Sequence, residues 1–183
     1  MTWLIVGLLL WAAAHLFNRI MPKHRAALGK KGKAAIALLI LISIGLMIFG
    51  YGAAEYVHLF ALPIWAWYIN NLLMLIAIFM IDVGRVNGVI RTKVRHPMLL
   101  SVVIWSTAHL LVNGDLASLV LFGGLGFWAL VETAAINRAE GPWQVPAEGT
   151  FVSDGKVAVF ATAIYAVIVG IHYWLGYSVI VFL

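Results

Sequence analysis

The chain has no cysteine. That excludes a disulfide framework, a thiolate metal site and a cysteine nucleophile. Charge is almost as scarce: Asp, Glu, Lys and Arg make up 10% of the 183 residues, against 64% hydrophobic. Soluble domains keep roughly a quarter of their residues charged. This chain cannot present such a surface, and its mean hydropathy of +1.02 places it among polytopic membrane proteins. The seven acids are scattered and mostly sit at the edges of apolar runs, so no paired carboxylates stand out. Also missing are a His-Glu-x-x-His metalloprotease motif, a Gly-rich phosphate loop and a Ser-His-Asp order. Gly123-Gly124-Leu125-Gly126 lies in an apolar run and is expected to serve helix packing. Met1-Thr2-Trp3 forms no basic leader region and no cleavage-like site follows, so the first apolar segment is expected to remain as a membrane helix. No internal repeat or low-complexity tract is evident.

What is present reads as six apolar spans in one all-α bundle, a single domain over residues 1–183. The expected spans are 2–21, 34–54, 64–84, 97–112, 116–136 and 157–183. Pro22 ends the first span. Gly45, Gly50 and Gly52 in the second allow close helix contact. Trp65, Trp67 and Tyr68 open the third as an interfacial belt. Between the last two spans, Pro142, Trp143 and Pro146 argue against a continuous helix, and Trp143 is expected at the bilayer surface. All twelve Lys and Arg residues fall on one side: Arg19 to Lys33, then Arg85 to Arg95, then Arg138 and Lys156. By the positive-inside rule that side is cytoplasmic and both termini lie outside, on the periplasmic side if the source is Gram-negative. The net charge of +5 is thus explained by loop placement, with no nucleic acid as partner; the partners are the lipid bilayer and any hydrophobic, lipid-like substrate.

One stretch carries most of the functional signal. Arg95-His96-Pro97-Met98 enters an apolar run to Val112 in which His109 is the one ionisable residue, and Asn113-Gly114-Asp115 closes it. Pro97 suits the first turn of a helix. An ionisable residue at membrane depth ordinarily has a partner or a function. Counted from the cytoplasmic ends at ~1.5 Å per residue, His15 lies ~12 Å in and His109 ~18 Å in, with His172 at ~24 Å. His58 falls in an outer loop, and His24 and His96 lie at the cytoplasmic rim, as do Asp82 and Glu132. Two imidazoles at similar depth on separate helices can hold one ligand between them, and a haem iron is the natural choice. Ala12, Ala13, Ala14, Ser106, Thr107 and Ala108 leave room for a macrocycle. Arg19, Arg95 or Arg85 would pair with propionates, and His96 would shape the helix entry beside them. His172 and His24 are the replacements if either ligand is misplaced. The alternative is that each histidine makes an interhelical hydrogen bond.

Arg95-His96-Pro97-Met98, then Trp105-Ser106-Thr107-Ala108-His109-Leu110, then Asn113-Gly114-Asp115-Leu116-Ala117-Ser118 and Leu121-Phe122-Gly123-Gly124 resemble the NnrU family. Ala14-His15-Leu16, followed by Arg25 and Gly29, fits the same pattern, and the likeness loosens after Asn137. The resemblance implies a bacterial membrane protein linked to nitrite and nitric oxide reduction. Plant zeta-carotene isomerase, a membrane haem b enzyme acting on a cis double bond of a carotene, resembles this family too. Its Trp-Cys-x-Ala-His segment corresponds to Trp105–His109, which implies His109 and His15 as haem b ligands. Ser106 stands where that enzyme has cysteine, so exchange to a thiolate ligand is excluded. The Arg-His-Pro entry is also similar to membrane methyltransferases, whose downstream arginine and glutamates would be matched only by Arg138 and Glu140. A non-enzymatic assembly or maturation factor, with no cofactor, is the remaining alternative.

Overall fold

The computed structural model describes residues 1–179 and is all-helical over them. In order the helices are α1 (Thr2–Ile20), α2 (Pro22–Ala27), α3 (Gly29–Gly52), α4 (Trp65–Val83), α5 (Pro97–Val112), α6 (Leu116–Glu140) and α7 (Phe151–Trp174). By length and composition α3, α4, α6 and α7 can each cross a membrane, while α1 and α5 are shorter apolar helices. Large apolar side chains such as Leu9, Leu41, Ile48 and Val159 are exposed along these helices, as lipid-facing positions require. The chain forms two compact units. The first holds Met1–Phe60 and Gly114–Gly141; the second holds Ala61–Asn113 and the chain from Pro142 onward.

In the first unit α1 packs on α3 and α6. The α1–α3 contact is antiparallel. A Cβ on Gly7 would lie 2.9 Å from the Ser43 carbonyl and the Met47 amide, and one on Gly50 would collide with the backbone of Leu4, which is fully buried. Only hydrogen at these positions lets the backbones approach so closely. Gly45 and Gly52 meet nothing within 4 Å, so of the three glycines expected to serve contact here, Gly50 does. The α1–α6 contact runs parallel, from Leu8 against Gly124 to Arg19 beside Glu132. Leu119–Gly123 is a π-helical turn. The polar turn before α6 is a cap: Asp115 accepts from the Ser118 amide (2.9 Å), and Ser118 bonds Tyr51 (2.8 Å). The Gly114 carbonyl accepts from the amides of Leu59 and Phe60 (2.8 and 3.0 Å).

In the second unit α4 is antiparallel to both α5 and α7. Ser101 donates to the Ala77 carbonyl (2.7 Å), and Gly84 meets Pro97. Met80 and Val83 pack with Val157, and Asn71 donates to the Val179 carbonyl (3.1 Å). The basic loop contains a 3-10 turn, Ile90–Thr92, clasped by the start of α7. One Asp154 carboxylate oxygen accepts from the amides of Val89 (2.8 Å) and Ile90 (3.2 Å), while the Thr150 amide donates to the Asn87 carbonyl (2.9 Å).

Several boundaries differ from those expected. α3 starts five residues early, because Lys30, Lys31 and Lys33 extend into water from its first turns. α6 runs on to Glu140, where Gly141 stops it at φ 71, a left-handed conformation that favours glycine. α7 begins at Phe151 rather than 157, because Thr150 accepts from the Ser153 amide and caps it. It ends at Trp174, and the last residues of the expected span, 180–183, lie outside the described residues.

Candidate functional site

His15 lies five residues before the end of α1, and its side chain is set by its own helix. Nδ1 is 2.9 Å from the carbonyl oxygen of Trp11, one turn back. A carbonyl only accepts, so Nδ1 carries the proton, and in the neutral ring Nε2 is left as a bare lone pair. The imidazole packs on the Trp11 ring at 4.2 Å and meets the edge of Trp128 from α6 at 4.8 Å. One turn further along each helix, Arg19 Nε is 3.6 Å from Glu132 Oε1. Arg19 Nη1 is also 3.6 Å from Glu140 Oε1. The guanidinium expected to pair with propionates is therefore held by two carboxylates of its own chain. Glu132 is buried two turns inside α6 rather than at the rim, because the helix continues past it to Glu140.

His109, three residues before the end of α5, repeats the arrangement. Its Nδ1 is 2.9 Å from the Trp105 carbonyl and its ring lies 4.8 Å from that of Trp105. Asn113 closes the helix by donating to the His109 carbonyl (2.9 Å). His172, on α7, uses the same Nδ1 bond, to Ile168 at 2.8 Å. The likeness of the first two extends to sequence: Trp11-x-x-Ala14-His15-Leu16 and Trp105-x-x-Ala108-His109-Leu110 share one six-residue frame. In both copies the alanine before the histidine is buried and the residue before that is exposed. The recurrence spans only six residues, too short to stand out as an internal repeat.

Arg95 and His96 are half-buried at the entry to α5; His96 is the cap residue, and its carbonyl accepts from Leu100 (2.9 Å). His24 is exposed on α2. Among the described residues no three His, Cys, Asp or Glu side chains converge as a metal site. An axial haem site needs no such cluster, only an imidazole nitrogen on each side of the iron.

The chain matches the NnrU protein family over residues 3–179, nearly its whole length. It belongs to the NnrU family. No curated protein and no solved structure gives a significant match. In this NnrU-family chain the residues that spacing alone did not bring forward are Trp11, Trp105, Trp128 and Glu132. The doubled Trp-x-x-x-His spacing was the available signal for two of them. Trp128 and Glu132 depend on which helix neighbours α1.

Proposed function

We propose that this NnrU-family membrane protein binds one haem b, with His15 and His109 as axial ligands, and supports nitrite and nitric oxide reduction. The observation that carries the haem assignment is the shared frame in which each imidazole gives its Nδ1 proton to the carbonyl one turn back. Metal-ligating histidines ordinarily donate their second nitrogen in this way, which fixes the tautomer and presents Nε2 to the metal. This bonding supports each imidazole as a ligand, and haem would supply one-electron chemistry at that centre. The link to nitrogen-oxide reduction rests on the family resemblance. Isomerisation of a polyene-like lipid is the second reading, and Ser106 bears on it. At the position where the plant enzyme has cysteine, Ser106 is buried with an unpartnered hydroxyl.

We place the chain in a bacterial inner membrane with six spans and both termini outside. The twelve-to-none charge split supports this orientation. Helix directions support the count: α3 opposes α1 while α6 follows it, and α4 opposes both α5 and α7, as six alternating spans require.

The test is an absorption spectrum of protein made with ample haem and purified in mild detergent, beside His15→Ala and His109→Ala at equal folded protein. A low-spin b-type spectrum is expected in the wild type and loss or change of it in both variants. Colourless wild type would sink the haem assignment and favour the cofactor-free assembly factor. An unchanged spectrum in both variants would shift the ligands to His172 or His24.

A further inference from the structure

The seam between α1 and α6 in the first unit holds more unmet hydrogen-bonding capacity than its packing explains. Trp11 Nε1, Trp128 Nε1 and Glu132 Oε2 are all buried without a hydrogen-bond partner. Trp128 and Glu132 are each only 7% exposed. Buried polar atoms in a native structure ordinarily find partners, so each exception calls for an explanation. Here three fall within two turns of one helix pair, around the His15 ring. We propose that this seam binds the head group of a membrane-soluble hydroquinone. One hydroxyl would donate to Glu132 Oε2 and the opposite oxygen would accept from the indole N–H of Trp128, with Trp11 as the second donor.

The chemistry on the page calls for a neutral guest that both donates and accepts, and a hydroquinone is one. The vacant donors are indole N–H groups and the vacant acceptor is a carboxylate oxygen, so the ligand must both accept and donate. Trp128 and Glu132 are one turn apart on one face of α6, ~6 Å between Cβ atoms. The two para oxygens of a hydroquinone ring bridge such a span. Glu132 already faces Arg19 at 3.6 Å, so local charge is balanced and a neutral guest suffices. An anion would meet the Glu132 carboxylate and a cation the Arg19 guanidinium. The rings of Trp11, Trp128 and His15 pack on one another at 4.2–5.3 Å, and a planar aromatic guest would take the sides of this cluster that they leave uncovered. Phe127 and Leu130 beside them on α6 are exposed, so this stretch of α6 borders the bilayer side from which a lipid-soluble molecule would enter. The proposed contacts leave His15 Nε2 unused, so the site goes beyond the haem assignment and stands without it.

The test is calorimetric titration of the purified full chain in mild detergent, under anaerobic conditions, with a short-tailed ubiquinol analogue and with its dimethyl ether. The ether keeps the ring and tail and loses both donors. Saturable 1:1 binding of the hydroquinone is expected, with the ether at least about ten-fold weaker, one buried hydrogen bond's worth. Trp128→Phe keeps the ring and loses the N–H, and should weaken the hydroquinone by about the same factor; Trp65→Phe should leave it unchanged. The wild-type comparison of the two ligands needs no variant to fold. Absence of saturable binding, or equal affinity for hydroquinone and ether, would overturn the proposal, as would a Trp128→Phe protein that is folded and binds normally. A colourless protein that binds the hydroquinone would fail the haem assignment alone, and a haem-bearing protein that does not would fail this one alone.

Discussion

The clasp between Asp154 and the 3-10 turn makes a quantitative prediction through Gly88. Asp154 is 8% exposed, and one of its oxygens holds the amides of Val89 and Ile90 at 2.8 and 3.2 Å. Hydrogen bonds to a charged group contribute ~1.5–3 kcal/mol each, and the longer one sits at or below that range. Asp154→Ala should therefore cost about 3 kcal/mol and strand two amides. Gly88 is buried against the same carboxylate: a Cβ there would collide with Asp154 Oδ1, and its three nearest neighbours are all Asp154 atoms. Gly88 has no positive φ, so alanine brings no backbone strain, only that collision. Gly88→Ala should push the carboxylate off both amides and cost about the same 3 kcal/mol. With Asp154 already alanine, the three atoms nearest the new methyl are gone, and the second substitution should cost under ~1 kcal/mol. The coupling expected in a double-mutant cycle is thus about 2 kcal/mol or more. SDS titration of the protein in mixed micelles, followed by tryptophan fluorescence, measures it. Additive losses within ~0.5 kcal/mol would refute the clasp.

The ion pair of Arg19 gives a second cycle. Arg19→Gln leaves the buried Glu132 carboxylate without its cation and should cost roughly 2–3 kcal/mol in the same assay, discounted for the 29% exposure of the arginine. Glu132→Gln in that background should recover most of the loss; no recovery would mean that the two side chains are not coupled. At the α1–α3 crossing, Gly50→Ala drives a methyl into the Leu4 backbone and should cost ~1–3 kcal/mol. Gly45→Ala, facing open space, should be neutral or stabilising, and equal effects at the two sites would contradict the crossing. For topology, single cysteines replacing Lys31, Arg91 and Glu148 should react with a membrane-impermeant reagent only after cells are opened. One at Val57 should react in intact cells. Labelling of position 31 from outside would reverse the orientation.

Hydropathy made the helical, membrane-type architecture readable, because twenty-residue apolar runs have few other uses. Local chemistry set the ends less visibly. Thr150 and Ser153 form a cap signal that Pro142 and Pro146, only a few residues upstream, disguised as part of a loop. The π-helical turn at Leu119–Gly123 leaves no mark in the spacing of apolar residues. His15 and His109 were identifiable singly, as rare ionisable residues in apolar runs. Their tryptophan partners one turn back are equally visible in the sequence, but Trp in such runs ordinarily reads as an interfacial anchor. Glu132 could not be assigned from spacing, because its meaning comes from Arg19, more than a hundred residues away, and that contact exists only once α1 and α6 are neighbours.

The parallel pairing of α1 with α6 also sets an order of manufacture. As the chain leaves the ribosome, α1 and α3 emerge together and can cross at Gly7 and Gly50 at once. α4 and α5 are then made before α6 arrives, and α7 comes last. Until α6 enters, Arg19 has neither of its carboxylates and must keep its guanidinium hydrated at the rim. Until α7 enters, the amides of Val89 and Ile90 wait for Asp154. A message cut short after α5 would yield two helix hairpins with unanswered charge and unpaired amides at the bilayer edge.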